Sequence, residues 1–240
     1  MLRSTVVRAH IACACVVAVS IVEVSSHAEP SLPPSPWTTE LDAFVASDAK
    51  SPPAADGLVL IGSSSIRLWN TAGQDFHPRV VINRGFGGAH MADVAQVVDR
   101  FVVPYSPRCI VVYAGDNDIA AGKTPEQVRD DFMDFVTRAR RHGTSVPIVF
   151  VSIKPSPARR RFAELQAKAN RLIQESVAHA GAADALYFAD VWSRMIDVRN
   201  EPRHELFGSD GLHMSPAGYR LWVDVIAPIV ERAESRHHSR

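Results

Sequence analysis

The stretch Leu58–Trp69, LVLIGSSSIRLW, decides how the rest of the chain is read. Leu58 to Ile61 are apolar, and they meet Gly62 and then Ser63, Ser64 and Ser65. A helix-like patch, Ile66 to Trp69, follows at once. A short continuous apolar run ending at a glycine has the pattern of a strand covered on both faces. The serines admit two readings. A serine before an apolar turn caps a helix, because its oxygen accepts from an otherwise unpaired backbone N–H. A serine at a strand end is also a place for a nucleophile, if a base stands close enough to take its proton. The surroundings have to decide.

Outward from this stretch, strand-like and helix-like pieces alternate. The further apolar runs are VVIN (80–83), CIVVYA (109–114), PIVFVSI (147–153) and ALYFA (185–189). Between them lie amphipathic segments. Residues 125–142 are the clearest: Thr124 and Gln127 fit a capping box, Pro125 suits the first helical position, and Gly143 suits the end. Val128, Phe132, Phe135, Val136 and Ala139 form one apolar face there. A second helix is expected over 158–180, with Phe162, Leu165, Ala169, Leu172 and Val177 inward and Gly181 as stop. A last helix, 216–233, carries Leu221, Trp222, Val225, Ile226 and Ile229. Parallel strands alternating with helices predict an α/β fold with a doubly wound five-stranded sheet. In such sheets the site forms at the carboxyl ends of the strands.

Those ends are rich in chemistry. After the first run comes Gly62-Ser63-Ser64-Ser65, and after the second NRGFGGAHM, with Gly85, Gly87 and Gly88. GDND, Gly115 to Asp118, follows the third. Beyond the fifth comes SDGLHMS, with Asp210 and His213. A serine hydroxyl becomes nucleophilic when a histidine takes its proton. The imidazole needs an acceptor on its other nitrogen, and Asp210, three residues before His213, can supply one across a tight loop. A tetrahedral intermediate needs donors for its oxygen, and glycine-turn N–H groups and an asparagine amide are suitable.

These blocks resemble the SGNH hydrolases, the GDSL-type esterases and lipases, and in particular their small branch related to platelet-activating-factor acetylhydrolase. Gly62-Ser63-Ser64 is similar to the family's Gly-Asp-Ser block, NRGFGG to its glycine block, GDND to Gly-x-Asn-Asp, and DGLH to Asp-x-x-His. The resemblance spans roughly residues 55 to 230. It implies a flavodoxin-like three-layer α/β/α sandwich without cofactor or metal. It also implies a catalytic set of Ser64, Asp210 and His213, and an oxyanion hole made by Ser64, Gly88 and Asn117. One departure stands out: the family's Asp in the first block is Ser63 here. Counting two residues from Gly62 assigns the nucleophile to Ser64, with Ser63 and Ser65 as alternatives. The expected activity is hydrolysis of carboxylic esters on a small-molecule or glycan substrate. Transfer of the acyl group to another alcohol is a variant on the same site. A non-catalytic glycan or lipid binder is the reading from another class, and the complete Ser-His-Asp set speaks against it. No lid-like apolar insertion is visible, which favours short acyl groups.

Composition is that of a soluble globular protein rather than a disordered one. The 240 residues are 46% hydrophobic and 22% charged, with 26 basic and 26 acidic side chains. No basic run tracks a phosphate backbone, so nucleic acid is not an expected partner. The N-terminus differs in kind. Arg3, Arg8 and His10 precede IACACVVAVSIV, twelve residues long, and then SSHA. That is the build of a signal peptide, residues 1–28, with cleavage expected after Ala28 and a secreted or periplasmic product. The apolar core is shorter than the ~20 residues of a spanning helix; an uncleaved anchor is the alternative. Cleavage would remove Arg3, Arg8 and Glu23, leaving 24 basic and 25 acidic side chains and one cysteine, Cys109, expected as core filler. Residues 29–50 read as a Pro-rich linker and short helix, 51–234 as the hydrolase domain, and 235–240 as a frayed tail.

Other residues have plain readings beside functional ones. Asp116, Asn117 and Asp118 offer oxygen ligands for a cation, although Asp118 is better used bracing its loop. His90, His204, Trp69, Phe86 and Trp192 are candidates for the cleft or simply for surface and core. Lys154 is placed at the pocket rim, and Arg159 to Arg161 at a solvated helix start. Oligomeric state is not legible.

Overall fold

Parallel strands cannot be joined by tight turns, so each strand–helix unit has to cross over the sheet. The order of those crossings places the site. In the computed structural model, which describes residues 36–141, 145–180 and 184–238, the strands are β1 (Leu58–Gly62), β2 (Val81–Gly85), β3 (Cys109–Tyr113), β4 (Ile148–Val151) and β5 (Leu186–Ala189). All pairs are parallel and the order is β2-β1-β3-β4-β5. This is the flavodoxin-like, doubly wound order. After β1 the chain winds to one edge, and after β2 it crosses back to begin β3. The loops leaving β1 and β3 therefore part in opposite directions and open a crevice at their carboxyl ends.

The helices are α1 (Thr38–Lys50), α2 (Ser64–Arg67), α3 (Ala72–Asp75), α4 (Met91–Phe101), α5 (Asp116–Ala120), α6 (Pro125–Ala139), α7 (Ala163–Ala180), α8 (Trp192–Met195) and α9 (Pro216–His238). Strand side chains alternate between the two faces of the sheet. On one face Leu58, Leu60, Val111, Tyr113 and Val149 pack with Ile66, Phe76 and the α9 residues Trp222, Ile226 and Val230. Trp222 centres this layer, with ring centroids 4.9 Å from Tyr113 and 5.8 Å from Trp69. On the other face α4, α6 and α7 pack side by side, and Phe132 meets Phe150 at 4.8 Å. Cys109 is buried in the core, as expected.

The α6 reading holds in detail. The Thr124–Gln127 capping box is formed, and Val128, Phe132, Phe135, Val136 and Ala139 are buried. The helix ends at Ala139, short of 142; the expected stops Gly143 and Gly181 lie outside the described residues. In α7 the inward face is different from the one expected. Leu165 is 43% exposed, Leu172 and Val177 are half-buried, and the buried stripe is Gln166, Ala169, Asn170 and Ile173. The cause is a specific pairing. The Asn170 amide accepts from Ile153 N at 2.8 Å and donates to Ile153 O at 2.9 Å, completing the backbone just past β4. Helix α9 runs on to His238 and takes in most of the segment expected as a frayed tail. The signal segment 1–28 lies outside the described residues. Among the described residues no helix is long and apolar enough to cross a membrane.

Helix α1 is bound to the domain rather than lying on a free linker. The Asp48 carboxylate takes Arg84 Nη2 at 2.6 Å and the Tyr105 hydroxyl at 2.5 Å. Phe44 packs edge-on to Phe101 at 5.6 Å.

Gly62 is the tightest point of the sheet. Its φ is +150°, and a Cβ built there would stand 1.9 Å from the Tyr113 carbonyl oxygen. Gly62→Ala is therefore expected to destabilise the protein by about 3 kcal/mol or more. A urea midpoint equal to wild type would show that the backbone can yield there.

Candidate active site

Past Gly62 the chain stays extended for one residue and then turns into α2. Ser63 has φ −82° and ψ −162° and donates its N–H to Tyr113 O at 3.0 Å. Its carbonyl accepts from Ile66 N and Arg67 N at 3.0 and 3.1 Å. The Ser63 hydroxyl makes no capping bond, so the capping reading of the serines does not apply to its side chain. Ser63 Oγ and Ser65 Oγ are buried without a hydrogen-bond partner among the described residues. Ser64 is the half-buried one, and its Oγ lies 3.1 Å from His213 Nε2. As the first residue of α2 it also has an N–H with no acceptor inside the helix. The turn is pinned from below. Tyr219 OH donates to Ser65 O at 2.9 Å, and Asn83 Nδ2 to Ile66 O at 2.8 Å.

His213 comes from the loop before α9. The carboxylate of Asp210 organises that loop: Oδ1 accepts from Leu212 N and His213 N, each at 2.9 Å, while Oδ2 lies 2.6 Å from His213 Nδ1. Gly208 N donates to His213 O at 2.8 Å, and Phe207 bridges Met214 antiparallel. The backbone N–H of Leu212, then the His213 side chain and N–H, hold Asp210 down at about 2. Asp210 is ionised at neutral pH and has no proton to give. Nδ1 therefore donates to it, and Nε2 turns its lone pair to the Ser64 hydroxyl. The arrangement can move a proton from Ser64 Oγ to Nε2.

The glycine loop and GDND close the other side. Gly85 pairs with Gly62 in the β1–β2 register, and Phe86 N donates to Gly62 O at 2.9 Å. Gly88 has φ +73° and is exposed. Asn117 Nδ2 donates to Ala89 O at 3.0 Å. Met91 N donates to both oxygens of Asp118, at 3.1 and 3.0 Å, and Lys123 Nζ joins them at 2.9 Å. Asp118 thus braces the loop, as expected, and the Gly88 and Asn117 loops are tied together twice.

Two side chains lie elsewhere than expected. Lys154 is not at a rim: it is 1% exposed. Its ammonium meets Asp116 Oδ2 at 3.1 Å and Tyr113 OH at 3.2 Å. Arg159 is not solvated. It reaches Asp116 Oδ2 at 3.2 Å and donates to Asn117 Oδ1 at 2.7 Å. Arg160 and Arg161 are exposed, as expected. Burial pushes the Asp116 carboxyl up, but Lys154 and then Arg159 overcome it and hold the group below the usual carboxylate range. Burial pulls the Lys154 ammonium down, and Asp116 reverses that, so it stays charged. Asp116 and Asp118, weighed as cation ligands, instead face the chain's own ammonium and guanidinium groups. Among the described residues no cluster of three metal-ligating side chains occurs. Trp69 and Phe86 are core. His90 precedes α4, its N–H donating to Asp93 at 2.9 Å. His204 and Trp192 line surface grooves apart from Ser64. The Lys154–Asp116 pair had one readable signal: a charge three residues past the end of each of two neighbouring buried strands.

Comparison with known proteins places this geometry. The model of the GDSL-like lipase/acylhydrolase family matches residues 63–221. The GDSL esterase/lipase WDL1 of Oryza sativa subsp. japonica is 25% identical over 209 residues, covering 73% of this chain and 78% of that protein. A GDSL-like lipase from Bacteroides thetaiotaomicron superposes with a TM-score of 0.67 at 20% identity, over 80% of this chain and 97% of its own. A Streptococcus pneumonia protein named for platelet activating factor gives 0.70 at 18% identity, over 80% and 92%.

Removing the Asp116 charge leaves Lys154 buried with no carboxylate. Asp116→Asn should cost about 3–5 kcal/mol in urea unfolding at neutral pH. Because the folded carboxyl titrates below its unfolded value, its stabilisation is full above about pH 4 and is lost as the pH falls below that. The gap between variant and wild type should therefore shrink in acid. A gap that stays constant down to pH 3 contradicts this account.

Proposed function

Because the chain belongs to the GDSL-like lipase/acylhydrolase family and is a carboxylic ester hydrolase, we propose that it acts outside the cytoplasm through an acyl-enzyme on Ser64. The observation that carries the reading is the contact chain Ser64 Oγ–His213 Nε2 at 3.1 Å and His213 Nδ1–Asp210 Oδ2 at 2.6 Å. Ser64 Oγ attacks the ester carbonyl carbon while His213 Nε2 takes the hydroxyl proton. Asp210 holds the imidazole and stabilises the imidazolium. Negative charge gathers on the former carbonyl oxygen, met by Ser64 N–H, Gly88 N–H and Asn117 Nδ2, each worth roughly 3 kcal/mol. Collapse breaks the bond to the alcohol, which leaves with the proton from His213. Water then attacks the acyl-enzyme by the same route, His213 taking its proton and returning it to Ser64, and the acid is freed.

Substrate and location rest on sequence. The lack of a lid-like apolar insertion supports short acyl groups on a small-molecule or glycan alcohol. The basic start, short apolar core and small residues before Glu29 support export with cleavage after Ala28.

A fluorophosphonate probe should label Ser64, and the label should vanish in Ser64→Ala and His213→Ala. Ser64→Ala should lower kcat by about a millionfold, and Asp210→Asn by about 10⁴-fold, with the fold intact by circular dichroism. Labelling at Ser63 or Ser65 would reassign the nucleophile; a folded, unlabelled protein inert towards p-nitrophenyl acetate would end the enzymatic reading. Across p-nitrophenyl esters, kcat/KM should peak at short chains, and a peak at twelve carbons or more rules out the short-acyl assignment. Intact mass of protein recovered from outside the cytoplasm should begin at Glu29.

A further inference from the structure

An oxyanion donor works only if its N–H is already aimed when charge develops. Two of the donors named above are ends of amide groups, Gly88 N–H of the Gly87–Gly88 peptide and Asn117 Nδ2 of a side-chain amide. Neither is aimed by its own residue. Both residues of the peptide are glycines, Gly88 has φ +73°, and a Cβ there would meet nothing within 4 Å. A primary amide on a short side chain can turn over. In each case something grips the opposite, carbonyl end.

At the first amide the indole Nε1–H of Trp37 donates to Gly87 O. The Gly87–Gly88 peptide is trans, since the cis bond of the described chain is His77–Pro78. Its C=O and N–H therefore point in opposite directions in one plane, and fixing Gly87 O fixes the direction of Gly88 N–H. Trp37 is itself held. Its ring packs edge-on to Phe86 at 5.5 Å, and α1 is anchored further along by the Asp48–Arg84 ion pair.

At the second amide Arg159 Nη2 donates to Asn117 Oδ1 at 2.7 Å, while Asn117 Nδ2 donates to Ala89 O at 3.0 Å. Turning the amide over would set NH₂ against a guanidinium and oxygen against a carbonyl oxygen. One Nδ2 hydrogen is used by Ala89, and the amide has a second to donate. Arg159 is anchored by Asp116, which Lys154 anchors in turn. A hydrogen bond accepted at an amide oxygen also polarises the group and strengthens its N–H as a donor.

We propose that Trp37 and Arg159 are positioning residues of the oxyanion hole, each setting from its carbonyl end one amide that receives the developing charge. The inference rests on Gly88 and Asn117 being the donors. It makes the start of α1 part of the catalytic apparatus, although that segment lies outside the residues matched by the family.

The variants are chosen to spare packing. Trp37→Phe keeps a ring against Phe86 and removes the N–H. Arg159→Met keeps much of the stem and leaves Asp116 paired with Lys154; Arg159→Gln serves if that variant does not fold. With p-nitrophenyl acetate, kcat should fall about 3- to 10-fold for Trp37→Phe and 10- to 100-fold for Arg159→Met or Arg159→Gln. KM should stay within twofold, and the pH profile should not move, because the Ser64–His213–Asp210 set is untouched. Inhibition by an alkyl boronic acid, whose tetrahedral adduct carries the oxyanion, should weaken by the same factors, and Arg159→Lys should recover part of the loss. A kcat within twofold of wild type for both residues, or a loss seen only in KM or in melting temperature, overturns the proposal. Wild-type protein without esterase activity overturns the proposed function itself, and this inference with it.

Discussion

The contact of Gly62 with the carbonyl oxygen of Tyr113 is the constraint on which the site depends. At that point β1 and β3 separate, because the chain winds to opposite sides after each of them. Only a residue without a side chain lets Ser63 donate to Tyr113 O and turn at once into α2. The turn brings Ser64 to the crevice with its hydroxyl towards His213 and its backbone N–H outside the helix. Everything else in the site is arranged around a serine delivered in that way.

Around it the protein uses charge sparingly and in closed groups. Asp210 is exposed and organises its own loop by accepting two backbone N–H groups before it meets His213. Asp116 and Lys154 are buried behind Asn117, and each would be costly alone. Together with Arg159 they form a rigid polar block under the loop that carries Asn117. Asp118 does the equivalent work for the loop of Gly88. The two loops are thereby fixed to each other by Met91 N–Asp118 and Asn117–Ala89 O.

How much of this could be read in the sequence follows from the range of the forces. The five apolar runs, the α6 capping box and the glycine, Asn and Asp-x-x-His blocks are local patterns, and each appears where expected. The inward face of α7 departs from the periodicity, because hydropathy ranks Leu165 above Asn170. Asn170 is buried nonetheless, since its amide satisfies both backbone groups of Ile153. The sequence offers Lys154 only as a rim charge and Arg159 only as a solvated one because their partner, Asp116, lies some forty residues earlier in the chain.

The sequence by itself determined the alternation of strands and helices and the chemistry available at each strand end, because both depend on neighbouring residues and on hydropathy. Tertiary structure alone decided how Ser64, the serine two residues after Gly62, comes to meet the imidazole. It also decided which charges are buried in pairs, and that Trp37 and Arg159 reach the amides of the Gly88 and Asn117 loops. Those outcomes depend on distances between segments far apart in the chain, which only the packed sheet, through its strand order and register, brings together.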